Sequence, residues 1–428
     1  MSLTIIKKTE ISKLDSFNKW KQNPSKGEVF TPKELVNEIL DQIPVEVWKN
    51  SKSTFCDLSM GKGTFLVEIV KRLVYIYGYK EEDAKSRVFG YEIRVKYVNY
   101  LKRRGYKNVF FKDSLIEVFK MKFDVAIGNS PYQKNDGGGT GSSAVPIYNK
   151  FVEKCLEISD NVLLITPSRW FNGGKGLDGF REMMFNRRDI KFIKHFANEK
   201  TWFDIELPGG VSYFYIQKTY SGTTQFIDFE NNLEYQTKLN NYDIFIPNLV
   251  SRKIVDKVVS KDTESFSNKV LSRKPFDVQS NFKNWTEYGV EIFTKDGIKK
   301  ICENSFKDKF NIINKFKVLI SKADGAAYKS KRVISRYNIL EPGSISTETY
   351  LVCFTSFDKK ECVNVGNYLM TKFARYMLLL RMSGQNNSKD KFKWVPVMDF
   401  TKEWKDSDLY KYFDLTEEEI EEIEKNVK

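Results

Sequence analysis

Through the first 220 residues, short apolar runs alternate with amphipathic stretches. This is the pattern of strands interleaved with helices in a parallel α/β sheet. Strands are predicted at Thr54–Leu58, Arg87–Tyr91, Asn108–Phe111, Phe123–Ile127, Asn161–Thr166 and Lys191–His195. Gly63–Tyr75 and Val145–Glu157 carry apolar residues at three- and four-residue spacing and predict helices that pack on the sheet. Thr31-Pro32-Lys33-Glu34 reads as a helix start, with Thr31 as N-cap, Pro32 in the first turn and Glu34 closing a capping box, the helix running toward Ile43. Beyond about Tyr220 the alternation lapses into shorter, mixed, aromatic- and lysine-rich segments, which sets a domain boundary there. Leu415–Val427 predicts a capped acidic helix that closes or packs the second domain.

Composition narrows the classes. The 428 residues are 41% hydrophobic and 29% charged, enough for two or three domains with proper cores. No apolar run approaches the roughly 18 residues a membrane helix needs, and the N-terminus lacks the pattern of a signal peptide, so a cytoplasmic location is expected. Cys56, Cys155, Cys302, Cys353 and Cys362 form no CxxC pair and His195 is the single histidine, so reduced thiols and no metal site are expected. A Ser-His-Asp or Cys-His hydrolase would depend wholly on His195, which has no GxSxG elbow near it.

Charge adds a partner class. Residues 1–220 carry 36 basic and 26 acidic side chains, residues 221–398 carry 29 and 19, and residues 399–428 carry 5 and 11. A basic field over two large segments suits a polyanion, whose phosphates reward Lys and Arg by counterion release.

Candidate chemistry gathers at the carboxyl ends of the predicted strands. Asp57 ends the first, and Ser59-Met60-Gly61-Lys62-Gly63-Thr64 then opens a helix, small residues there letting a ligand approach backbone N–H groups. The spacing is neither GxGxxG nor a P-loop. Glu92 ends the second strand, where a carboxylate suits a bidentate hold on ribose hydroxyls, and Asp113 follows the third. Acidic residues beyond three successive strands describe one nucleoside-sized crevice. The fourth strand leads into Asn129-Ser130-Pro131-Tyr132.

That tetrapeptide resembles the NPPY motif of the S-adenosylmethionine-dependent adenine-N6 DNA methyltransferases. The order extends the match: Val29-Phe30-Thr31-Pro32 looks like the family's N-terminal cofactor motif, followed by the Asp57 loop, Glu92, Asp113, the tetrapeptide and Ile165-Thr166-Pro167-Ser168-Arg169-Trp170. Pro208 to Phe214 resembles the strand-turn element that completes the catalytic domain, and the arrangement resembles the gamma class. Lys393-Trp394-Val395-Pro396, Leu409-Tyr410 and the Glu-rich helix look like the ends of relatives in phages and restriction-modification systems.

The resemblance implies a Rossmann-like α/β catalytic domain over residues 1–220 and a mixed α+β target-recognition domain over 221–428, with duplex DNA held between them. It implies S-adenosylmethionine as cofactor, double-stranded DNA as substrate and a cognate restriction endonuclease as a partner where the chain serves restriction-modification. Asn129 and the backbone carbonyl of Ser130 would draw on the target amine, with Pro131 in the same turn and Tyr132 stacking on a flipped-out base. Glu92 would hold the cofactor ribose, Asp113 its adenine amino group, and Asp57 with Gly61 and Gly63 its methionine end, while Phe30 and Thr31 close the pocket. Position 130 departs from the family, which usually has Pro; Ser130 keeps the carbonyl and loses rigidity.

Within the same chemistry the alternatives are cytosine N4, RNA adenine and a protein glutamine amide. Outside it stands a non-catalytic DNA-binding module that retains the fold. Asp136 to Ser143 reads either as a mobile lid or as a plain connector. Ser272–Phe276, Asn284-Trp285, Tyr328–Arg332 and Gln385–Lys389 mix basic, amide and aromatic residues as a DNA surface would.

Overall fold

The computed structural model describes residues 29–134, 145–174, 176–203, 207, 209–323, 333–382 and 386–427. The glycine-rich stretch 136–143, the basic stretch 328–332 and Pro208 lie outside the described residues.

Strands β1 (Phe55–Asp57), β2 (Val88–Glu92), β3 (Val109–Phe111), β4 (Phe123–Asn129), β7 (Ser159–Pro167), β8 (Ile190–Phe196), β9 (Val211–Gln217), β10 (Thr224–Asp228) and β11 (Leu233–Thr237) form one sheet. Among the described residues, the two intervening short strands, β5 (Gln133–Lys134) and β6 (Val145–Pro146), pair only with each other. The sheet order is β11-β10-β8-β9-β7-β4-β1-β2-β3. Strands β3, β2, β1, β4 and β7 are mutually parallel, and β9 runs antiparallel between β7 and β8. Order reverses at β1, which leads outward to β2 on one side and is flanked by β4 on the other. A crevice opens at the carboxyl ends of the strands at such a switch point. This is the Rossmann-like α/β fold.

Two cores flank the sheet. Along β4, Val125 and Ile127 enter one and Ala126 between them the other. Along β7, Leu163 and Ile165 alternate in the same way with Val162 and Leu164, the period of two that a sheet buried on both faces requires. Helices Lys33–Leu40, Thr64–Tyr75 and Val95–Lys102 cover the first face, while Tyr148–Ile158 and Asp178–Phe185 cover the second.

Three expectations change. The first compact unit runs to Phe245 rather than to residue 220. The hairpin β10–β11 extends the sheet, β10 pairing parallel with β8. Its outer strand is mostly exposed, so its sequence lacks a core pattern. The helix expected from Val145 starts at Tyr148, because Val145 and Pro146 pair with Gln133 and Lys134. The capping box at Thr31 does not form: the helix starts at Lys33 with Pro32 as N-cap and no side-chain cap.

The second unit, residues 246–427 of those described, is mixed α+β. Strands β12 (Val290–Thr294) and β13 (Gly297–Ile301) form a three-stranded sheet with β16 (Ser344–Ser346). Strand β14 (Phe316–Ser321) lies between β15 (Tyr337–Leu340) and β17 (Tyr350–Ser356) in another. The final helix, Glu417–Asn426, carries the expected cap: Thr416 and Glu419 bond each other's backbone N–H groups. Among the described residues all five cysteines are free thiols, and no helix is long and apolar enough to cross a membrane.

Candidate active site

The crevice begins where β1 stops. Asp57 is only 2% exposed, and its Oδ1 accepts a hydrogen bond from Ser59 N at 2.9 Å. It packs against β4 at Gly128, where a Cβ would stand 2.7 Å from Asp57 Oδ1. Any side chain at 128 would push the two strand ends apart. Burial raises the Asp57 carboxyl to about 7, with the Ser59 N–H opposing and the Glu92 charge adding to the rise.

The loop after Asp57 turns through two left-handed residues, Gly61 at φ +53° and Gly63 at φ +81°. Nothing lies within 4 Å of the place a Cβ would take on Gly61, whereas on Gly63 it would meet Leu101 Cδ1 at 2.5 Å. Gly63 is therefore there for helix packing, and the space beside the Gly61 Cα is open. Gly61 N donates to Glu92 Oε2 at 3.0 Å, and Arg94 N donates to Glu92 Oε1 at 2.9 Å. Burial pushes the Glu92 carboxyl up, while the Arg94 guanidinium and the backbone N–H groups pull it down.

Asp113 stands exposed past β3 and turns its Oδ1 to Leu115 N, 3.0 Å away. The next residue, absent from the sequence reading, does the anchoring: buried Ser114 donates from Oγ to Leu58 O at 2.7 Å and ties this loop to the exit of β1. A hydroxyl next to the expected acid was its only sequence signal. Ile93, also missed, stands 63% exposed beside buried Glu92 and gives the rim an apolar face.

Asn129 closes β4 and faces the same opening. Its Nδ2 donates to Thr31 Oγ1 at 3.3 Å, and Ser59 Oγ donates to Asn129 O at 3.3 Å. Thr31 is thus spent on Asn129, 98 residues away in sequence, instead of on its own helix. Among the described residues, Asn129 Oδ1 is buried with no hydrogen-bond partner, as is the Tyr132 hydroxyl. Burial raises the Tyr132 phenol; the neighbouring Asn129 side chain moderates the rise without a well-formed hydrogen bond between them. Ser130 is buried, and Pro131 and Tyr132 are half-buried. Phe30 sits beside this group, edge-on to Tyr97 and with Lys62 Nζ 3.9 Å from its ring centroid. An orphaned buried acceptor is costly, about 1–3 kcal/mol, unless a donor arrives from outside.

The exit of β7 is fixed by two bonds. Ser168 N donates to Gly210 O at 2.9 Å, and Ser168 Oγ lies 3.0 Å from His195 Nδ1. Burial lowers the His195 imidazole to about 4, against the pull of Asp228 and Glu230, so it is neutral near pH 7. Ser168 is 2% exposed, so this buried Ser–His pair joins two strand ends and offers no nucleophile.

The structure therefore brings together Phe30, Thr31, Asp57, Gly61, Glu92, Asn129, Ser130 and Tyr132. Pro131 continues the turn, Gly63 packs behind it, and Asp113 remains at the exposed rim.

Residues 60–203 match the family described as Eco57I restriction-modification methylase. The matched segment is about a third of the chain. That segment holds Gly61, Gly63, Glu92, Asp113 and Asn129 to Tyr132, and stops short of Asp57, Thr31 and Phe30. A stretch of 158 residues is 34% identical to an "Uncharacterized adenine-specific methylase" of Mycoplasma pneumoniae, covering 34% of this chain and 37% of that protein. Another of 113 residues is 32% identical to the "Type II methyltransferase M.VspI" of Vibrio sp. (strain 343), covering 25% and 26%. The chain thus spans roughly a third and a quarter of the lengths of these relatives. In fold it resembles the protein of a DrdV–DNA complex, with TM-score 0.50, 13% identity, and coverage of 89% of this chain and 57% of that one.

Proposed function

We propose that the protein transfers a methyl group from S-adenosylmethionine to the N6 amino group of an adenine turned out of duplex DNA. The single observation that carries this reading is Asn129 Oδ1, a buried acceptor at the carboxyl end of β4 with no partner among the described residues. An exocyclic amine has its lone pair delocalised into the ring. Accepting its two N–H bonds draws the nitrogen toward tetrahedral geometry, and Asn129 Oδ1 with the Ser130 carbonyl would do so. The bond from Asn129 Nδ2 to Thr31 fixes which end of the amide faces the amine.

The residues of the crevice fit the cofactor: the space beside the Gly61 Cα is open, and two buried carboxylates stand at successive strand ends. Glu92 would hold ribose hydroxyls, Asp113 the adenine amino group, and Asp57 with the Gly61–Gly63 loop the methionine end. Phe30 and Thr31 would close over it, and Ile93 would lie along the adenine. When bound, the cofactor supplies a methyl group on a sulfonium leaving group. This chain's residues contribute position and electrostatics, with no covalent enzyme intermediate. Tyr132 would stack on the base, which cannot reach such a site inside a duplex. The second unit, with 28 basic and 15 acidic side chains over residues 246–398, would contribute target recognition, and a restriction endonuclease would share that target.

The test is methyl transfer from labelled cofactor to duplex DNA of unbiased sequence, with Asn129→Ala beside the wild type and products identified by nucleoside mass spectrometry. N6-methyladenine from the wild type, reduced at least about a hundredfold in the variant, is expected if the amide carries transition-state contacts. Cofactor binding with unmodified DNA would overturn the substrate and turn attention to RNA or protein; loss of cofactor binding by the wild type would overturn the enzyme.

A further inference from the structure

Lys62 occupies the middle of the Gly61-Lys62-Gly63 loop, between two residues of positive φ. The Lys62 ammonium ends 3.9 Å from the Phe30 ring centroid. The side chain is half-buried, and burial, reinforced by the charge of Lys33, holds the amine below the usual lysine range. No ion pair forms to Lys62 among the described residues. Asp57 accepts from Ser59 N, and Glu92 from Gly61 N and Arg94 N.

A partly desolvated ammonium with only a ring face beneath it has unused capacity for an anion. Just before this loop, buried Asp57 accepts from Ser59 N and enters no ion pair among the described residues, leaving it room for a cation. One acid at the end of β1 and one base in the glycine turn that follows match a zwitterion, the charge pattern of a free α-amino acid group.

We propose that Lys62, docked on Phe30, takes the α-carboxylate of the cofactor's amino-acid end while Asp57 faces its α-ammonium. This rests on the reading of the crevice as an S-adenosylmethionine site and adds the residue that distinguishes the whole cofactor from its nucleoside half. A carboxylate held by an ammonium is worth about tenfold to a hundredfold in affinity. Phe30 keeps the lysine extended toward the crevice when no ligand is present.

The experiment measures binding of two unreactive probes to the full chain by calorimetry. S-Adenosylhomocysteine carries the amino-acid end, and 5′-methylthioadenosine has the same nucleoside and sulfur without it. Lys62→Met is expected to weaken S-adenosylhomocysteine by about tenfold or more and to leave 5′-methylthioadenosine within twofold, with Lys62→Arg restoring most of the loss. Equal weakening of both probes would overturn the proposal and make Lys62 a loop-packing residue. Unchanged binding of both would overturn it as well. If wild type binds neither probe, the cofactor reading itself fails, a distinct outcome. DNA binding supplies the last arm: if Lys62→Met leaves both probes untouched but lowers the salt dependence of DNA binding by one charge, the anion is a phosphate and the carboxylate assignment is wrong.

Discussion

Replacing Asp57 by Asn separates what this carboxyl costs the fold from what it offers a ligand. The side chain is 2% exposed, and its pKa of about 7 lies some three units above the ordinary 3.8. Each unit is about 1.4 kcal/mol, so forcing the charge into the folded protein costs up to about 4 kcal/mol above pH 7. The sign follows from proton counts. Between pH 3.8 and 7 the folded protein keeps a proton that the unfolded chain has released, so this group's contribution is fully present below pH 3.8 and is lost as pH rises through 7. Asn keeps the acceptor for Ser59 N and the contact with Gly128 but cannot ionise. The ligand-free Asp57→Asn protein is therefore expected to exceed wild type by about 2 kcal/mol at pH 5.5 and about 4 kcal/mol at pH 8. At roughly 2–4 °C per kcal/mol for a unit of this size, melting curves or urea titrations at the two pH values resolve the difference. Wild type should also bind S-adenosylmethionine more tightly as pH rises through 7, a trend the variant lacks. A stability gap that is the same at pH 5.5 and pH 8 would refute the reasoning, because the penalty would then not be ionic.

Three further outcomes are expected. Gly63→Ala places a methyl 2.5 Å from Leu101 Cδ1 at a φ of +81° and should destabilise the first unit by about 1–3 kcal/mol in urea titration. His195→Asn retains a partner for Ser168 Oγ but cannot take a proton. Wild type, whose imidazole falls to about 4 on burial, should lose about 3 kcal/mol as pH drops from 6.5 to 4, because the unfolded chain then binds the extra proton. An acid-unfolding midpoint lower in the variant than in wild type checks this. Thr416→Ala removes the acceptor for Glu419 N and should cost about 1 kcal/mol, read as faster amide exchange along Glu417–Asn426.

Much of this was written in local pattern. The strands around the site lie within about two residues of their expected ends, because a sheet buried on both faces demands continuous apolar runs that end at the crevice. The acids Asp57, Glu92 and Asp113 and the Asn129–Tyr132 turn all follow strand ends, so a strand list also yields a site list. The C-terminal cap at Thr416 was legible for the same reason: it is satisfied within four residues.

Contacts between residues far apart in sequence were not legible. Thr31 carries a complete local capping signature, yet its hydroxyl goes to Asn129, because folding brings the chain entry over the end of β4, where the amide supplies the donor. Hairpin β10–β11 looked like the start of another domain, since an edge strand needs few apolar positions and only pairing with β8 reveals the sheet it belongs to. The chemical character of the site was likewise settled in three dimensions. The sequence by itself determined which groups stand at the strand ends. The tertiary structure decided that Asp57 is buried enough to hold a proton near pH 7 and that Asn129 Oδ1 is left without a partner, because desolvation and hydrogen-bond satisfaction depend on everything packed around a group.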